Sequence, residues 1–476
     1  MLRQALKTAS ALILTALVVC TLGSCGGTKG GSGSIEQFKS ALAKDGFTVQ
    51  EGKLEVFDIT KMADMGLIPC CWGNNPSTPY MIYKLPPAPG QTAPNMVSDA
   101  PVRPENKGLW SDFKLRGDEA VVFIGNTPPA VDYFSYRSYL AGRHFPGDSR
   151  FKRIFASLGD TLNNMTIKTG GSDDAFDSAT MIVTTADKGI NKRVHSAAVA
   201  SGFSSGIIND DIVSPEIAKM GLGAEADSFA IIHRVAFFKD KKAGDAYLAK
   251  PQGTVLRLTP KIQTEKLQPH EVPGLRVRGN GDASELDLTD DLEKLRQAIL
   301  KKYQGAQVTE LNTSIWLPEG YYAIQKGIDV IGENRDTTYL WTDQFTLANN
   351  PNEFIIVYGV NHAATGKVTY SNFGVYGAKL INGVGAVSNH DFTGTAEEYL
   401  PDNPDAKYLY VWKVARHSNG DKQCLEVPFG VGAAGIELDQ QCFIGYRAYI
   451  EAETKVGPFW SELALDRAIK FSPKTK

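Results

Sequence analysis

The chain lacks most of the features that announce a chemistry. It holds 7 His in 476 residues, and none stands in H-E-x-x-H or another metal spacing, which excludes a zincin-type centre. There is no Walker motif, no EF-hand loop and no G-x-G-x-x-G, so no motif calls for a nucleotide, a metal or any other cofactor. No basic block interrupts a formal net charge of −3, and nucleic acid is not an expected partner. Past the first 25 residues no apolar run is long enough to cross a bilayer. Cysteine is scarce, with six in all. What is present is ordinary: 42% hydrophobic and 22% charged residues fit a globular protein with a sizeable core and exclude a largely disordered chain. The length predicts two or three folded units.

The N-terminus is more specific. Arg3 and Lys7 form a positive start, an apolar stretch runs from Ala9 to Leu22, and Leu22-Gly23-Ser24-Cys25 follows. An apolar run this short suits a signal peptide rather than a membrane span. The four-residue end resembles a bacterial lipobox. That resemblance implies removal of residues 1–24, acylation of Cys25 (palmitate among the chains) and a firm membrane anchor. Gly26 to Ser34 is a Gly/Ser tether spanning roughly 17 Å r.m.s.. Residue 26 is Gly rather than Asp. By resemblance to enterobacterial lipoproteins this favours the outer membrane over the inner, with the periplasmic or surface face left open. Cys70, Cys71, Cys424 and Cys442 remain in the mature chain, and an oxidising compartment predicts disulfides. A bridge between neighbours is strained. The open choices are Cys424–Cys442 alone or cross-links between the two chain ends, with free thiols as the competing reading.

Along the chain, residues 35–45 read as an amphipathic helix stopped by Gly46, and residues 47–58 as a hairpin turning at Glu51-Gly52. Residues 84–107 hold six prolines and read as a long loop. The expected fold class is α+β, with two related β-rich units flanking a mixed α/β segment. The boundaries are 35–170 for the first unit, 171–305 for the mixed segment and 306–476 for the second unit.

An internal repeat supports the pairing. Gly73, Asn75, Thr78 and Tyr80 align with Gly332, Asn334, Thr337 and Tyr339. Trp110 and Asp112 align with Trp341 and Asp343, Phe113 and Leu115 with Phe345 and Leu347, and Glu119 to Gly125 with Glu353 to Gly359. Tyr136 then aligns with Tyr370. The matched residues also suit plain turns and core filling. Asn334-Arg335-Asp336-Thr337-Thr338-Tyr339, with the strands after it, resembles an uncharacterised bacterial envelope domain family. That family shows an Asn-x-Asp-Thr-x-Tyr core followed by strands ending in an Arg-Tyr-type aromatic run. The resemblance covers 334–376 and, more faintly, 73–140, where Pro76 and Ser77 replace Arg335 and Asp336. It implies a β-rich fold and no agreed activity.

Three catalytic look-alikes fail on context. Gly202-Phe-Ser204-Ser-Gly206 follows a helix-like stretch, where a nucleophile elbow needs a strand. Ser111-x-x-Lys114 and Lys168-Thr-Gly170 lie too close together for a penicillin-recognising enzyme. Asn280, Asp282, Glu285 and Asp287 form the best calcium-like cluster. The expected function is a cell-envelope module binding a small molecule, a glycan or a protein partner, with its site at Asn334, Arg335, Asp336, Tyr339, Trp341 and His362. The competing reading is a hydrolase or lyase acting on envelope polymers, with Asp336 and His362 as acid and base.

Overall fold

A computed structural model of the chain describes residues 33–93, 108–147, 151–171 and 174–474. Cys25, most of the tether and most of the proline-rich loop lie outside the described residues. Helix α1 (Ile35–Lys44) starts where expected: the Ser34 side chain accepts the Gln37 N–H at 3.4 Å, and Phe38 and Leu42, one turn apart, are buried. Gly46, at φ +86°, ends it. The next strand, β1 (Phe47–Val56), runs straight through Glu51-Gly52. The expected hairpin is absent because Gly52 serves close approach, not a turn: a Cβ there would strike the Lys84 carbonyl of the neighbouring strand.

The first half continues through α2 (Ile59–Asp64), β2 (Tyr80–Lys84), β3 (Ala120–Asn126), β4 (Val131–His144), β5 (Phe151–Ser157) and β6 (Leu162–Asn163). It is completed by β7 (Ala179–Thr185), α3 (Lys188–Ala200), β8 (Ile208–Ile212), β9 (Ser228–Phe238), α4 (Lys241–Ala249) and β10 (Thr254–Pro260). Its strands form one sheet in the order β5-β4-β9-β2-β1-β10-β3-β7-β8, with β6 beside β4. Helices α1 and α3 cover one face, where Phe38, Leu42 and Val194 meet Val122, Val183 and Leu256. The other face curls over a core reaching from Ile154 on β5 to Ile182 on β7. Arg137 on β4 and Asp211 on β8 pair at 2.8 Å, so the sheet nearly closes on itself.

Strands β7 to β10 fall within 171–305, the stretch expected to stand as a separate mixed α/β segment. They pair instead with β3, β4, β2 and β1, so the expected boundary at residue 171 lies inside one sheet.

The second half runs α5 (Thr289–Lys302), β11 (Gln307–Leu311), β12 (Thr313–Ile315), α6 (Gly320–Lys326), β13 (Thr337–Thr342), β14 (Phe345–Thr346) and β15 (Phe354–Val360). Then come β16 (Tyr370–Gly377), β17 (Asn382–Ser388), α7 (Asn389–Phe392), β18 (Leu409–Ala415), β19 (Cys424–Glu426), β20 (Gln441–Tyr449) and β21 (Arg467–Ser472). One sheet reads β11-β21-β15-β18-β19 and the other β12-β13-β20-β16-β17, with β14 beside β20. They face each other across Leu340, Phe373 and Ile444 on one side and Ile355, Val357 and Val414 on the other. Leu292, Leu295 and Ile299 of α5 cover the outer face.

Read from β17 to β19 through β12 and β11, the second half orders its strands as the first half does from β5 to β8. The break at Asn312 divides what is the single strand β1 in the first half. In each half one parallel pair, β7–β8 and β18–β19, closes the series. The fold is therefore mixed α/β, strand-rich and built from several sheets.

Cys70, Cys71, Cys424 and Cys442 are free thiols, so the expected bridges are not formed. Cys424 and Cys442 sit in different sheets of the sandwich. Burial pushes their thiols up to about 11 and that of Cys71 up to about 12, which keeps them un-ionised.

Candidate functional site

The repeated turns meet: Gly73, Ile331 and Gly332 line one cleft. Trp72 and Ile331, at φ +51° and +48°, each precede the motif glycine of their own half. Gly73 N–H donates to the Ile381 carbonyl at 2.8 Å, and Gly332 N–H to the Phe155 carbonyl at 2.7 Å. Each turn thus docks onto the other half. The carbonyls of the same glycines accept from buried arginines: Arg447 Nη2 reaches Gly73 O at 2.6 Å, and Arg234 Nη2 reaches Gly332 O at 2.8 Å. The Nη1 groups donate to Tyr376 and Tyr139. In the sheets Arg234 lies opposite Tyr80, and Arg447 opposite Tyr339.

Between these turns lies a small, partly open cleft of about 50 Å³ lined by Trp72, Tyr80, Phe155, Arg234, Tyr339, Arg447 and Tyr449, among others. Arg234 and Arg447 are 5% and 4% exposed. Among the described residues neither has a carboxylate partner. Aromatic faces surround them instead: Tyr376, Trp316 and Tyr339 lie 5.2, 5.5 and 5.5 Å from the Arg447 guanidinium. Tyr139 and Tyr80 lie 5.1 and 5.6 Å from that of Arg234. Burial pushes the Tyr339 and Tyr449 phenols up, so they stay neutral. The cleft therefore holds two fixed positive charges among neutral groups. Cation–π contacts return about 0.5–2 kcal/mol each, whereas burying an ion costs several kcal/mol. An anion in the cleft would supply the missing compensation.

Of the six residues expected to form the site, only Tyr339 lines this cleft. Asn334 shapes its own turn, accepting the Asp336 N–H at 2.8 Å and donating to the Tyr133 hydroxyl. Arg335 is held by Asp160 at 2.7 Å, by Glu319 and by the Arg276 carbonyl. Asp336 is buried against the first half, accepting from Thr161, from Asn163 at 2.8 Å and from Tyr133 at 3.0 Å. Burial outweighs these bonds and pushes its carboxyl above the usual range. Trp341 lies parallel to Trp316 with centroids 6.2 Å apart, half-buried and outside the cleft. His362 is clamped between Glu285 at 2.8 Å and Asp466 at 3.3 Å. Burial alone would lower its pKa, but the two carboxylates outweigh it and raise the imidazole to about 10. His362 is thus a cation at neutral pH bound to other acids, and the Asp336–His362 acid–base pair is not assembled.

The calcium-like cluster is also committed elsewhere. Glu285 faces His362, and the Lys367 ammonium occupies Asn280 Oδ1 at 3.2 Å and the Asp282 carbonyl at 2.6 Å. Ser204 caps a short 3₁₀ turn after α3, with no strand before it. The residues that sequence reasoning missed, Arg234 and Arg447, each carried one signal. Each is a lone arginine inside an apolar strand, Ile231-Ile-His-Arg234-Val-Ala-Phe and Phe443-Ile-Gly-Tyr-Arg447-Ala-Tyr.

No family model matches the chain, and no curated protein matches it. Among solved structures it is similar to an uncharacterized protein from Burkholderia cenocepacia at 10% identity. That likeness covers 91% of this chain and 86% of the other, with a TM-score of 0.39. It is also similar to the VPA0106 protein from Vibrio parahaemolyticus at 9% identity, over 84% of this chain and 90% of the other, with a TM-score of 0.39. Neither likeness bears on the site.

Proposed function

We propose that this chain is a lipid-anchored cell-envelope protein that binds a small anionic ligand in the cleft between its two halves. The anchor reading rests on the lipobox-like Leu22-Gly-Ser-Cys25 and favours the outer membrane. The resemblance of 334–376 to an envelope domain family agrees with that address. The halves are two related units, 35–260 and 289–474, descended from one duplicated ancestor. Their common strand order supports this, as do the reciprocal contacts of Gly73 with Arg447 and of Gly332 with Arg234. The binding reading is carried by one observation: two buried guanidiniums, unpaired by any carboxylate among the described residues, share one cleft wall with neutral phenols.

The test is a thermal-shift titration of the chain from Gly26 with acetate, phosphate and sulfate at fixed ionic strength. At least one anion should raise the wild-type melting temperature in the millimolar range while leaving Arg447→Met unmoved. The absence of any anion-specific shift in the wild type overturns the reading.

A further inference from the structure

The cleft does not end at the arginines. A second lobe of about 60 Å³ adjoins it and shares the walls made by Phe57, Trp72, Ile82 and Phe155. Its remaining lining is mostly apolar, with Met62, Leu67, Ile68, Ala141 and Ala230, and its polar members are Ser111, Arg153 and Asp112, whose carboxylate accepts from Ser228 at 2.9 Å. The one arginine there, Arg153, is already paired with Asp329 at 2.6 Å. The two lobes thus differ in character: one end carries two cations with no carboxylate partner among the described residues, and the other is mostly apolar, its charged groups Arg153 and Asp112 already held by neighbours.

Trp72 stands on the border. Its ring lies parallel to Phe57 with centroids 6.1 Å apart and edge-on to Phe155 at 5.3 Å. Its indole Nε1–H is buried and has no acceptor among the described residues. Native proteins leave few such donors unpaired, and each one needs an account. Trp72 and Phe155 both hold positive φ, +51° and +38°. Bulky residues rarely adopt that backbone, and where they do it concentrates at ligand clamps.

We infer that the ligand is an amphiphilic carboxylate. Its head sits between Arg234 and Arg447, and its apolar body runs past Trp72 into the lobe of Met62, Leu67 and Ala230. This rests on the anion-binding reading and adds the class of ligand to it. A carboxylate fits this head site better than a phosphate. Both Nη groups of each arginine already donate to a tyrosine and a carbonyl. A monoanion with two oxygens asks least of the donors that remain. The unpaired indole N–H is a further donor along the path. A pocket with an apolar body and a few fixed polar groups is the common form of a small-molecule site.

The experiment is isothermal titration of the purified protein with acetate, butyrate, octanoate, octanol and octylamine. Octanoate should bind at least tenfold more tightly than butyrate, and octanol and octylamine far more weakly than octanoate. Ala230→Phe, which fills the second lobe, should bring octanoate down to the affinity of butyrate without changing butyrate. Met62→Gln, a milder change at a half-buried position, should lower octanoate affinity severalfold and serves if the Phe variant does not fold. Equal binding of butyrate and octanoate overturns the amphiphile while leaving the anion site standing. Octanol binding as tightly as octanoate overturns it too. Binding of no carboxylate at all overturns both readings.

Discussion

At the residue scale, charges in this protein are sorted by whether they have partners. Asp336 and His362 are chemically suggestive types, and both are consumed by neighbours. Asp336 accepts three side-chain donors from the other half. Asp336→Ala would remove one buried acceptor from Tyr133, Thr161 and Asn163, at a cost of about 2–4 kcal/mol. Chemical denaturation should show that loss, while anion binding in the cleft stays unchanged because Asp336 does not line it. His362 gives a pH signature. Its folded pKa, raised to about 10, exceeds the unfolded value of about 6.5. Its contribution is therefore complete below pH 6.5 and is lost as pH rises through 10. Glu285 works in the opposite sense. Burial opposes its ionisation, but His362 overrides that and holds the carboxyl low, so its share is lost only on acidification. Between pH 7 and 10 the wild-type melting temperature should fall more steeply than that of His362→Gln. Parallel slopes would remove the ion cluster from the account.

At the element scale, the turns were legible and their job was not. Gly73-x-Asn75 and Gly332-x-Asn334 were readable as paired turns from sequence. The aligned Phe113 and Phe345 do pair alike, with Phe229 on β9 and Cys442 on β20. The last aligned block is out by three residues. Tyr133, not Tyr136, plays the part of Tyr370, because Tyr133 meets Asn334 while Tyr370 lies on the side of Asn75. Periodicity alone could not set that register, since aromatic residues recur at Tyr133, Tyr136 and Tyr139. The hairpin at Gly52 failed for a related reason: a glycine reads as a turn locally and as a close contact only once β2 is beside it. The turn glycines can be tested by contrast. Gly332 at φ +78° would place a Cβ 3.0 Å from the Phe155 ring, whereas Gly366 at φ +82° has open space around it. Both alanine variants carry a left-handed backbone cost of about 1–2 kcal/mol. Gly332→Ala should lose at least twice the melting temperature of Gly366→Ala, because it also disturbs the joint. Equal losses would mean that the turn does not hold the halves together.

At the scale of the whole molecule, composition and patterning pointed to an α+β protein with two β-rich ends that resemble each other, where the structure is mixed α/β and strand-rich. They misplaced the middle. Strands β7 to β10 looked like a separate βα segment because their partners are up to some two hundred residues away in sequence, for instance Lys53 beside Thr254. Local pattern does not carry such pairings. The cleft was illegible for the same reason: Arg234 and Arg447 become neighbours only when both halves are assembled, and a single arginine in an apolar strand announces no partner. The central claim is that this assembled cleft holds an anion against both arginines. A crystal structure of the protein soaked with 8-bromooctanoate tests it most directly. The account predicts a carboxylate within hydrogen-bond distance of Arg234 and Arg447, with the bromine signal beside Met62 and Ala230. A saturated soak whose ligand lies elsewhere, with nothing between the two arginines, would contradict it.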